Sequence, residues 1–155
     1  MDVVRYERIF LSLGAALLVI FLAALGYAAV GMGMHLPGHA GNVDPKTVRQ
    51  TPPFDSPGVT QVSPGRYEVV LLGQAWAYTP NEIRVPAGAE VRFRATSADV
   101  VHGMMIEGTR FNVMLIPGEI TELVYRFETP GEHLMICHEY CGRGHHLMFG
   151  KVIVE

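Results

Sequence analysis

Hydrophobic and polar positions divide the chain into three stretches with different periods. From Phe10 to Val30 nearly every residue is apolar, and no charged residue falls between Arg8 and His35. A helix over that run rises ~1.5 Å per residue and reaches about 30 Å, the thickness of a bilayer hydrocarbon core. The pattern predicts one membrane-spanning helix within residues 1–35. A cleaved leader is the competing reading, but its apolar region usually runs only about 7 to 15 residues, which favours a retained anchor. Arg5 and Arg8 precede the span and no Lys or Arg follows it until Lys46. Such a bias keeps the N-terminus inside and sets the remainder on the outer face of the cell membrane, periplasmic in a bacterium with two membranes.

The second stretch, residues 36–65, has little periodicity and holds six of the ten prolines. It is expected to be an extended, Pro-rich linker, either laid on a partner or disordered. His35 and His39 beside it have no other ligand type nearby and are expected to be interfacial or solvated. Beyond Gly65 the period becomes two. Ala89-Glu90-Val91-Arg92-Phe93-Arg94-Ala95 and Leu123-Val124-Tyr125-Arg126-Phe127-Glu128 alternate apolar and polar positions, the mark of half-buried strands. Pro64-Gly65, Pro117-Gly118 and Pro130-Gly131 supply turns between them. Several short strands joined by such turns predict a mainly β domain, a sandwich or Greek-key barrel, over residues 66–155.

Charge changes the picture little. A formal net charge of −3 without a basic run gives no footprint for nucleic acid, and that class is set aside.

Chemistry is concentrated near the C-terminus, in Cys137-His138-Glu139-Tyr140-Cys141-Gly142-Arg143-Gly144-His145-His146-Leu147-Met148, which contains both cysteines of the chain. Two thiolates, imidazole and a thioether favour copper or zinc over oxygen-seeking magnesium or calcium. Met148 tilts the choice to copper, because structural zinc sites use Cys and His without Met. A disulfide between Cys137 and Cys141 remains an alternative in an oxidising compartment. A copper centre built from this loop alone is short of nitrogen. His102, at the end of a predicted strand and just after Asp99, is the candidate from elsewhere, although a lone histidine is more often structural. Trp76, the only tryptophan, fits either a packing aromatic or an exposed contact.

Asp99-Val100-Val101-His102, followed by Cys137-x-x-x-Cys141-x-x-x-His145-x-x-Met148 behind one membrane helix, resembles subunit II of haem-copper cytochrome c oxidases. The similarity runs from the helix to the C-terminus and is greatest to the ba-type enzymes, whose subunit II has a single span. The resemblance implies a cupredoxin-like fold and a binuclear copper A centre. In that centre Cys137 and Cys141 bridge both ions, His102 and His145 bind one each, Met148 binds weakly, and the Glu139 carbonyl completes the set. It further implies transfer of electrons from cytochrome c to haem in subunit I, with an aromatic near Trp76 as the entry point. In other branches of the family the carboxylate at the Glu139 position helps to bind magnesium at the subunit I interface. His138 and His146 do not fall at ligand positions of the family. The chain has no Cys-x-x-Cys-His motif, and its apolar helix has no histidine or acidic relay residue, so haem and oxygen chemistry are expected in a partner. The alternatives are the copper A subunit of a nitric oxide reductase and a membrane-tethered cupredoxin carrier.

Overall fold

The computed structural model describes residues 3–31 and 40–155. His35 and His39 lie outside the described residues. The chain forms two compact units, the N-terminal helix and the domain that follows it. Helix α1, Val3–Gly31, buries none of its residues. At ~1.5 Å per residue it rises about 44 Å, more than the ~30 Å core of a bilayer. It is the one described helix long and apolar enough to cross a membrane. Its Leu, Ile, Val and Phe side chains are exposed.

The second unit is two five-stranded sheets. The first contains β1 (Gly58–Ser63), β2 (Arg66–Gln74), β3 (Ala77–Thr79), β5 (Glu90–Ser97) and β8 (Thr121–Arg126). Its order is β1-β2-β5-β8, with β3 paired to β2. The second sheet contains β4 (Glu82–Val85), β6 (His102–Ile106), β7 (Asn112–Leu115), β9 (Gly131–Ile136) and β10 (Phe149–Val154). It runs β4-β10-β9-β6-β7. Only β2 with β5 and β4 with β10 are parallel. The sequence alternation around β5 and β8 is seen directly: Val91 and Phe93 point into the core while Arg92 is exposed. Gly65 and Gly118, in two of the expected Pro-Gly turns, have φ of +75° and +91°, which a side chain would disfavour.

One core lies between the sheets. Val69, Leu71, Val91 and Phe93 from the first meet Ile83, Met104, Ile106, Met135 and Val152 from the second. Cys137, Cys141 and Met148 belong to the same cluster, so the candidate ligands sit at one end of the hydrophobic core.

Residues 40–65 differ from the expected linker. They contain β1, which pairs antiparallel with β2, and a 3-10 turn at Val48–Gln50. Val43, Val48 and Phe54 are buried against Val70, Leu72 and Ile120. The physical reason lies in β2, where Val69 and Leu71 face the main core while Val70 and Leu72 face the other way. A strand apolar on both faces needs a second cover, and residues 40–56 provide it. Backbone hydrogen bonds from Val43 N–H to Gly118 (3.1 Å) and from Ile120 N–H to Gly41 (2.9 Å) fasten the strap.

Candidate metal centre

The loop between β9 and β10 is the closed end of a hairpin. Ile136 pairs with Phe149, and the next residue inward, Cys137, donates its N–H to the Met148 carbonyl at 3.2 Å. The first and last candidate ligands of the loop are therefore held side by side by the sheet ladder. A 3-10 turn at His145–Leu147 brings His145 back beneath Cys141. Strand β6 is the neighbour of β9 and begins at His102, which places that histidine beside the loop from a distant part of the sequence.

Side-chain geometry gathers the set. The Sγ atoms of Cys137 and Cys141 are 3.8 Å apart, both free and both buried, so the pair is not a disulfide. Cys141 Sγ lies 3.5 Å from His145 Nδ1 and 3.7 Å from Met148 Sδ. Cys137 Sγ lies 3.2 Å from the Glu139 carbonyl oxygen. A ring nitrogen of His102 and both Sγ atoms fall within 4.8 Å of one another.

His102 is wholly buried, and its Nε2 is 2.8 Å from Asp99 Oδ1. Its Nδ1 is buried without a hydrogen-bond partner. A buried ring nitrogen left without a partner is costly unless something coordinates it. This donor set fits a soft metal ion, and a carboxylate behind the histidine is the usual support that orients such a ligand.

Electrostatics agree. Burial, then the hydrogen bond and charge of Cys137, push the Cys141 thiol up to about 11, as expected for two crowded sulfurs without a cation. Burial alone would raise the Asp99 carboxyl. Hydrogen bonds from the Ala75 N–H (2.7 Å), from His102 and from the Val100 N–H (2.7 Å) outweigh it and hold the group below its ordinary range.

The other expected residues fall around this cluster. Trp76 packs its ring on the loop: a Cβ at Gly144 would come 2.4 Å from Cδ2 of the indole. Its Nε1–H donates to the Cys141 carbonyl at 3.0 Å, and the residue is still 42% exposed. The Glu139 carboxylate faces outward, 3.6 Å from His138 Nδ1. His146 is exposed and is not drawn into the cluster. Sequence reasoning missed Tyr78, Gly73, Gly103 and Gly144, whose part is to pack closely around the ligands. No local pattern marks such residues, because each contact joins distant strands.

A two-sheet β domain with a Cys, His and Met loop at one end of its core is a cupredoxin-like metal-binding domain. The model of the cytochrome c oxidase subunit II periplasmic domain matches residues 64–155. The chain belongs to the cytochrome c oxidase subunit II family and is part of a terminal oxidase complex. It is 43% identical to cytochrome c oxidase subunit 2 of Thermus thermophilus over 157 residues, 99% of this chain and 94% of the relative. A chain in the cryo-EM structure of a heme-copper terminal oxidase dimer superposes with a TM-score of 0.75 at 38% identity, covering 96% of this chain and 99% of that one. The periplasmic domain of subunit II from Bradyrhizobium japonicum, 21% identical, shares the fold with a TM-score of 0.53 over 57% of this chain and 83% of that one.

Proposed function

We propose that this chain is the electron-entry subunit of its oxidase, accepting single electrons from cytochrome c or a similar one-electron donor and passing them to haem in subunit I, where oxygen is reduced. The observation that carries this reading is the gathering of a His102 ring nitrogen and two buried, unbridged cysteine sulfurs within 4.8 Å of one another. Cys137, Cys141, His102, His145, Met148 and the Glu139 carbonyl would together hold two copper ions. Copper bound there supplies a one-electron couple shared through the two thiolates.

The chain's own residues do the rest. Buried Cys137, Cys141 and Met148 exclude water from the sulfurs. Asp99 sets the tautomer and orientation of His102. The strand ladder at both ends of the loop keeps ligand positions constant between redox states, which lowers the reorganisation that transfer demands. Trp76, half exposed and bonded to the Cys141 carbonyl, is the contact surface for the donor. Among the described residues no second set of three His, Cys, Asp or Glu side chains converges. A magnesium ion at the outward-facing Glu139 carboxylate would therefore take its other oxygen ligands from subunit I. Arg5 and Arg8, in the first turns of α1 and ahead of its apolar run, favour an inside N-terminus and an outer copper domain.

Metal analysis and electron paramagnetic resonance of the full chain test the proposal. Two coppers per chain and a mixed-valence signal shared by both are expected. One copper with a single-ion spectrum, or stoichiometric zinc in natively assembled protein, would sink it.

A further inference from the structure

His102 is held by more than Asp99. Its imidazole lies over Gly73 of β2, where a Cβ would meet His102 Cδ2 at 3.4 Å and Leu115 Cδ1 at 3.0 Å. Gly73 pairs in register with Tyr78 of β3. Tyr78 reaches from that first sheet into the second, and its O–H donates to the carbonyl of Gly103, the residue after His102, at 2.5 Å. The ring is only 2% exposed, so water does not compete for this bond.

The need for the bond comes from the sheet. Strand β6 pairs with β9 only at Met105 and Ile106, because the chain leaves β9 at Cys137 to form the loop. At His102 and Gly103 the strand lacks that neighbour, and the phenol stands in for it. The open face of Gly103 is covered by His138, whose Cε1 would lie 2.4 Å from a Cβ there.

We propose that Tyr78 is a positioning residue for the metal centre: by fixing the backbone at Gly103 it sets where the His102 imidazole stands relative to the two cysteine sulfurs. This rests on the reading of His102 as a ligand. Tyr78 touches no electron donor and transfers nothing itself. It acts through the strand that carries His102, and its neighbour in register, Gly73, clears the space into which the imidazole fits.

The test is Tyr78→Phe in the full chain, which keeps the ring and removes only the O–H. Copper affinity, measured by competition with a chelator, is expected to fall about tenfold, the lower end for loss of a group supporting a ligand. In nuclear magnetic resonance of the copper-loaded protein the shifted ring protons of His102 should move while those of His145 stay in place. Unchanged affinity and unchanged His102 resonances overturn the proposal. Equal movement of both histidines also overturns it, since that marks general loosening. If Tyr78→Phe does not fold, 3-fluorotyrosine at position 78 keeps the bond but changes its donor strength; unmoved His102 resonances then count against the proposal. Failure of the underlying reading looks different. In that case the His102 protons of the wild-type chain show no copper-dependent shift at all.

Discussion

The Cys137 N–H donates to the Met148 carbonyl at 3.2 Å, so main-chain hydrogen bonding holds the two ends of the ligand loop side by side. Ile136 and Phe149 continue the same ladder outward. This ladder does not involve the ligand side chains, so the consequences of altering individual side chains within the loop can be separated from loss of the fold.

His145 and His146 are adjacent but not equivalent. His145 Nδ1 is 3.5 Å from Cys141 Sγ, whereas His146 is exposed. His145→Ala is expected to abolish or grossly alter the visible absorption of the copper-loaded chain, and His146→Ala to leave it nearly intact. Cys141→Ser should leave at most a mononuclear spectrum, because a hydroxyl is a harder ligand than a thiolate. Absorption titrations with copper check all three.

Asp99 makes the metal-free domain sensitive to acid. Its carboxyl is held below the ordinary value, so it stabilises the fold above about pH 4 and that contribution disappears as pH falls through the lowered native value. Asp99→Asn should therefore lower the urea midpoint near neutrality and converge with wild type as pH falls below the lowered native value. Parallel curves across that range would show that another group governs the acid limb.

Trp76→Ala should slow reduction by cytochrome c in stopped-flow measurements while two coppers remain bound. Loss of the Trp76 hydrogen bond to Cys141 should also cost about 1 kcal/mol of stability. Gly144→Ala approaches the same contact from the loop side, where the new methyl would lie 2.4 Å from the indole. It should displace the ring and slow reduction likewise. Wild-type rates in both variants would make the indole a bystander.

The strap over β2 belongs to the domain. Phe54 is 1% exposed, and Phe54→Ala should cost about 3 kcal/mol, seen as a lowered denaturation midpoint. A fragment beginning at Arg66 would uncover Val70, Leu72 and Ile120. It should be less stable and more prone to aggregate than one beginning at Ala40, a difference that scattering and thermal melts of the two fragments would reveal.

The sequence by itself determined the features whose signal is local. The apolar run from Phe10 to Val30, the alternation around Phe93 and the spacing Cys137, Cys141, His145, Met148 each lie within one stretch of chain, and each shows its chemistry there. The residues alone offered His102 as a candidate, and resemblance alone made it a ligand, since its Asp99 support is local but its sulfur neighbours are not. Tertiary structure alone decided the rest. Residues 40–56 have no period because their apolar side chains, Val43, Val48 and Phe54, answer to the outer face of β2 rather than to one another. The place of Trp76 over Gly144, of His138 against Gly103 and of the Tyr78 phenol on the Gly103 carbonyl follows from how the sheets face each other and how the loop leaves β9. Contacts between strands far apart in the chain arise from closure of the core, and no single stretch of sequence encodes them.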